Sequence, residues 1–144
     1  MATSVDIYRR DGYRCRYCGE RLILDGVLVL MHTFFPSEIG YVTTYKHGQM
    51  HPLFWTAAPE CDHLVPGTRG GSWTDPSNLV AACVRCNTLK ADLLVDELGW
   101  TVRAPTIEDW DGLASAYDAL WASAGSPNPG RHRRWVTALR SSSP

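Results

Sequence analysis

The sequence predicts a small α+β domain held together by a metal ion on four cysteines, with a β-rich insertion and C-terminal helices. Three observations carry that prediction. Two C-x-x-C pairs stand at Cys15/Cys18 and Cys83/Cys86. A strand–loop–strand–helix pattern fills residues 60 to about 95. The chain is 144 residues long, a size at which folds with modest cores often recruit a metal. Each C-x-x-C turns tightly enough to aim two thiolates at one ion, and four sulfurs close a tetrahedral shell with no position left for water. A structural Zn²⁺ on Cys15, Cys18, Cys83 and Cys86 is therefore expected. With 64 residues between Cys18 and Cys83, the ion clamps the start of the chain onto its middle. Cys61 is left over and reads as a small buried strand residue.

The elements follow in order. Leu22-Ile23-Leu24 and Val27-Leu28-Val29-Leu30 flank Asp25-Gly26, which reads as a β-hairpin with a D-G turn. "GYVTTY", residues 40–45, suggests a further strand. Lys46, His47, His51, Phe54 and Trp55 then form either a substrate-facing surface or an extra layer on the core. Gly48 and Pro52 argue against a helix that would bring His47 and His51 to a second metal. Residues 60–64 and 78–82 are short strands, and 66–78 is a loop dense in Gly, Pro, Ser, Thr and Asp. A helix runs from about 84 to 94 with Leu89, Leu93 and Leu94 on its apolar face.

Residues 104–144 form a helical extension packed on the 1–103 domain, whose insertion covers about 22–59. A helix over 106–124 shows Trp110, Leu113, Ala114, Tyr117, Leu120 and Trp121 at helical spacing. Thr106 and Asp109 resemble a capping box, and Gly125 is its stop. "SPNPG" is a linker, and "RHRRWVTALR" a short basic helix. Residues 104–124 carry four acids and no base, and 125–144 four arginines and no acid. The two segments can pair internally, or the basic helix can grip a nucleic-acid backbone.

Composition bounds the class. The chain is 44% hydrophobic and 20% charged, ordinary for a globular protein. A net charge of −1 gives no global basic field. No membrane-length apolar run and no apolar leader are present, so a cytoplasmic location with reduced thiols is expected.

A closed sulfur shell does no chemistry, so catalysis must lie elsewhere. Asp62 and His63 are adjacent in the first strand. Side chains alternate along a strand, so one can hold a cation while its neighbour reaches a water. Asn87 opens the helix after Cys86, and its amide oxygen can join Asp62 on a hard cation such as Mg²⁺. Such an ion suits phosphodiester hydrolysis, and an imidazole titrating near neutral pH can deprotonate the attacking water. Asn78 closes the loop and can bond its backbone or fix the imidazole. Arg69 and Lys90 are candidate phosphate contacts.

The run C-x-x-C, D-H-L-V-P, G-G, N-L-V and C-V-R-C-N-T-L-K resembles the HNH endonuclease family, the zinc-knuckle branch of the ββα-metal (His-Me finger) nucleases, whose domain is treble-clef-like. The resemblance is close over 60–92. It implies Asp62 and Asn87 as ligands of a catalytic Mg²⁺ or Mn²⁺, His63 as general base, Asn78 as the residue orienting base and loop, and Zn²⁺ on the four cysteines. The expected activity is hydrolysis of DNA. The alternatives are RNA or structured DNA as substrate, and a non-catalytic zinc-stabilised module that binds nucleic acid or protein.

Overall fold

A computed structural model describes residues 4–44 and 48–141 of the chain. Its elements are α1 (Ser4–Arg10), α2 (Asp25–Phe34), α3 (Leu53–Thr56), β1 (Pro59–His63), β2 (Leu79–Cys83), α4 (Val84–Lys90), α5 (Tyr117–Ser123) and α6 (Pro129–Ser141). Short 3-10 turns lie at Gly67–Arg69, Pro76–Asn78 and Asp96–Leu98. The fold is α+β, as the sequence predicts. β1 and β2 pair antiparallel with Glu60 opposite Ala82, Asp62 opposite Val80 and His63 opposite Leu79. Among the described residues no helix is long and apolar enough to cross a membrane.

The expected hairpin over 22–30 is instead helix α2. Val27 and Leu30 enter the core that holds Tyr13, Leu22, Val80 and Tyr117, while Leu28 and Val29 enter a second cluster with Met50 and Phe54. A helix clasped between two cores is apolar on every side, and a short apolar run of that kind reads equally as strand or helix. Asp25 lies in its first turn, where a carboxylate suits the helix dipole. Gly26 is required, because a Cβ there would come 2.8 Å from the Tyr117 ring.

The other half of the expected insertion is also not β. Residues 40–44 form turns and irregular chain; Tyr45, Lys46 and His47 lie outside the described residues. Phe54 is buried in the second cluster and Trp55 packs against it, which is the layering reading. The His51 ring Nδ1 accepts from the Leu53 N–H at 3.3 Å, at the start of α3.

The long helix expected over 106–124 is cut to Tyr117–Ser123. Gly112 and Leu113 both take left-handed backbone, φ 68° and 63°, which a helix cannot pass through. Tertiary contacts hold them there. Leu24 N donates to Gly112 O at 3.0 Å, and Trp110 Nε1 donates to Leu22 O at 2.9 Å. Upstream, Glu108 pairs with Arg14 at 2.6 Å and Arg21 at 3.1 Å, so its partners are N-terminal arginines. The expected pairing between the acidic and basic segments survives as Asp118–Arg140 at 3.2 Å. Arg131 instead reaches Asp25 at 2.8 Å. α5 and α6 meet at Tyr117 and His132, both fully buried. The Tyr117 hydroxyl bonds His132 Nδ1, and Trp121 stacks on the imidazole at 5.6 Å.

Candidate active site and metal centre

The two cysteine pairs meet. The sulfurs of Cys15, Cys18, Cys83 and Cys86 all lie within 4.8 Å of one another, and Cys18 and Cys83 are 3.9 Å apart. Tetrahedral zinc with Zn–S near 2.3 Å needs sulfurs roughly 3.8 Å apart, so the four thiols fit a structural metal. Hydrogen bonding from Cys83 favours the Cys15 thiolate and holds that thiol below its ordinary range. The Cys83 and Cys86 thiols move upward, the first through its bond to Cys15 and the second through burial. A cation at the centre expels the remaining protons.

This centre sits at a junction. β2 ends at Cys83, whose sulfur accepts the Cys86 N–H at 3.4 Å as the N-cap of α4. Ligation therefore fixes α4 against the sheet. Asn87 and Lys90 lie one turn past Cys83 and Cys86, on the same helix face as those ligands. α4 stops earlier than the sequence suggests, at Lys90, where Ala91 takes φ 47°. Leu89 is exposed rather than part of an apolar face.

Glu60 and Asp62 share one face of β1, and α4 covers it. The Asn87 Nδ2 donates to Glu60 Oε2. An amide with its nitrogen turned to Glu60 presents Oδ1 elsewhere. Asp62 is 6% exposed. Its Oδ2 accepts from the Tyr17 hydroxyl at 2.5 Å and pairs with Lys90 Nζ at 3.2 Å. Burial, reinforced by that bond to Asp62, pushes the Tyr17 hydroxyl upward, so it stays a donor. Lys90 departs from expectation. It is 0% exposed, donates to His63 O at 2.7 Å, and is a buried strut under the strand rather than a surface group facing phosphate. Arg69 is on the surface, engaged by Glu97 at 2.8 Å.

His63, the last residue of β1, turns its ring toward the loop. Its Nε2 lies 3.2 Å from Trp73 O. A carbonyl only accepts, so Nε2 carries the hydrogen, and the neutral ring keeps its lone pair on Nδ1. Asn78 makes the loop rigid. Its Oδ1 accepts from Val65 N at 2.9 Å, and its Nδ2 donates to Val65 O at 2.9 Å and Ser72 O at 2.8 Å. Asn78 thus bonds the loop backbone rather than the imidazole, and acts on His63 through the segments on either side, Leu64–Val65 and Ser72–Trp73. Gly71 lets the loop close, since a Cβ there would lie 1.8 Å from Val65 O. From beneath, Arg10 donates to Pro76 O at 2.7 Å and Leu79 O at 2.6 Å, on either side of Asn78. Buried Asp11 fixes Arg10, and also accepts from Arg16 at 2.8 Å and Ala81 N at 2.8 Å.

Arg10, Trp73 and three further residues of this site escape the sequence reading. Glu60 is two positions before Asp62, so strand alternation alone puts it on that carboxylate's face. Tyr17 inside the first knuckle and Asp11 beneath the loop carry no local signal.

An antiparallel strand pair, a helix on one face and a four-cysteine centre at the strand–helix junction define the ββα-metal class. Residues 50–93 match the family described as HNH endonuclease, so this segment is an HNH domain, of the nuclease type. No curated protein and no solved structure matches the chain.

Proposed function

We propose that the protein is a metal-dependent endonuclease that hydrolyses DNA phosphodiester bonds. The observation that carries this reading is the environment of His63. An imidazole on a rigid loop edge, with one nitrogen saturated by a carbonyl, has its other nitrogen free to take a proton from water.

Asp62 and Asn87 are the residues proposed to hold a divalent cation, Mg²⁺ or Mn²⁺. The oxygens of Glu60, Asp62 and Asn87 are hard donors of the kind such an ion takes, and the two carboxylates outnumber the one ammonium beside Asp62. Such an ion, when bound, screens the phosphate and stabilises the leaving oxygen. His63 Nδ1 accepts the water proton, and the Trp73 carbonyl holds the ring so that the acceptor stays oriented. Asn78 holds the loop that supplies that carbonyl. Lys90 keeps Asp62 and the His63 backbone in fixed relation. Arg69 can turn from Glu97 to phosphate. Zn²⁺ on the four cysteines has a structural role only.

The test is plasmid cleavage with and without added Mg²⁺ or Mn²⁺, run beside His63→Ala. The wild type should nick or cut only with the ion. His63→Ala should lose cleavage by about 10²-fold or more, while keeping one zinc per chain and its unfolding midpoint. Full cleavage by a folded His63→Ala protein refutes the assignment of the base.

A further inference from the structure

Trp73 lies on the loop between β1 and β2 and is 65% exposed. An indole so open to water normally moves freely, yet this one is seated on two sides, and its backbone is tied as well. Its ring occupies the space above Gly67, where a Cβ would come within 2.0 Å of it. Its ring centre is 5.0 Å from the His63 imidazole, in an edge-on arrangement. Its own carbonyl carries the His63 bond. The backbone around it is also tied: Ser72 O accepts from Asn78, and Ser72 Oγ accepts from Thr74 N at 3.4 Å and Asp75 N at 3.1 Å.

A rigid, exposed aromatic beside a candidate general base is built to meet something flat. Charge recognition does not explain it, because an indole carries no charge, and a phosphate contact by Arg69, the one basic side chain of this loop, would leave the exposed ring without a role. A nucleobase has a π-face whatever its identity, and stacking on an aromatic is how single strands are held without sequence preference. The indole and the imidazole are 5.0 Å apart, centre to centre, so a base stacked on this indole belongs to a nucleotide close to a phosphate at His63. In a duplex both faces of each base are already covered by neighbours.

We propose that the Trp73 indole is a stacking subsite for an unpaired nucleobase of DNA, next to the phosphodiester presented to His63. This rests on the nuclease reading above and adds the form of its substrate: single strands, flaps or frayed ends in preference to continuous duplex. The indole binds the base, and its backbone carbonyl, which no substitution removes, holds the imidazole.

The experiment compares two short single-stranded DNA backbones of equal length, one with bases and one with abasic tetrahydrofuran units at every position. Binding is measured without added divalent cation, so no cleavage intervenes. Both strands carry the same phosphates, and the difference isolates the bases. The wild type should prefer the base-bearing strand by about tenfold. Trp73→Ala should bind both strands alike, at the level of the abasic one, and Trp73→Phe should keep most of the preference. Zinc content and unfolding midpoint confirm that each variant is folded. Equal binding of both strands by the wild type, or an undiminished preference in Trp73→Ala, overturns the stacking subsite while leaving the nuclease reading standing if plasmid is still cut. A wild type that binds neither strand and cuts no DNA overturns both.

Discussion

Replacing Asn78 by aspartate is a near-isosteric change that should do more damage than replacing it by alanine. The amide makes three hydrogen bonds of 2.8–2.9 Å, one accepted and two donated. A net 0.5–1.5 kcal/mol each is typical. Asn78 is half-buried, so water partly replaces what alanine removes, and Asn78→Ala should cost about 1–2 kcal/mol. Asn78→Asp keeps the bond from Val65 N but turns a carboxylate oxygen toward the carbonyls of Val65 and Ser72. Two donated bonds become two repulsive contacts between acceptors, and the cost should reach about 3 kcal/mol. The Trp73 carbonyl is the next residue along from Ser72, so cleavage should fall in the same order as stability. Urea unfolding gives the first quantity and initial rates of plasmid nicking the second. An Asp variant as stable and active as wild type, or consistently better than the Ala variant, refutes the claim that the Asn78 donors organise the loop.

Two further outcomes bear on buried groups. Lys90→Met strips the partner from a buried carboxylate and should cost about 3 kcal/mol or more in urea unfolding; a stable Lys90→Met protein whose DNA binding merely loses salt dependence would return Lys90 to a phosphate role. His132 is held below its ordinary 6.5 by burial first and by the Arg131 charge second. The unfolded chain therefore takes up a proton at higher pH than the native one, so this contribution to stability is intact above 6.5 and is lost as pH falls through that value toward the depressed native one. Melting temperatures between about pH 7.5 and about pH 5.5 should show that loss, and a smaller one in His132→Gln; an identical slope in the two proteins rejects it.

What the sequence makes legible is what local chemistry determines. A C-x-x-C knuckle aims its own sulfurs, so the four ligands can be named without knowing the path between them. Alternation along β1 separates Asp62 from His63 on any strand, and the turn residues of 66–78 mark the loop whichever way it packs. What stays hidden depends on the partner. Residues 27–30 are helical because two cores close on them, and the run "VLVL" carries no trace of how many sides are covered. The 106–124 stripe has helical spacing, but Gly12 brings α1 against the same segment: a Cβ on Gly12 would strike Thr106 O at 1.9 Å. The backbone turns at Gly112 instead of continuing.

Lys90 shows the same division within the candidate site. Its position in sequence, one turn past Asn87, is shared by a surface phosphate contact and a buried strut. The choice is made by the sulfur centre. Once Cys83 and Cys86 lie against Cys15 and Cys18, the face of α4 bearing Lys90 is pressed onto β1, and Tyr17 arrives from the other knuckle at the same Asp62 oxygen. Each side of the metal centre thus delivers one donor to that carboxylate. Asp62 anchors the junction through Oδ2, and it is also one of the residues proposed to hold a cation. Separating the sulfurs would remove both donors together, leaving a carboxylate 6% exposed without its ammonium or its hydroxyl, and a buried charge stripped in that way is costly. The proposed cation site and the structural centre are therefore energetically linked, although they share no ligand.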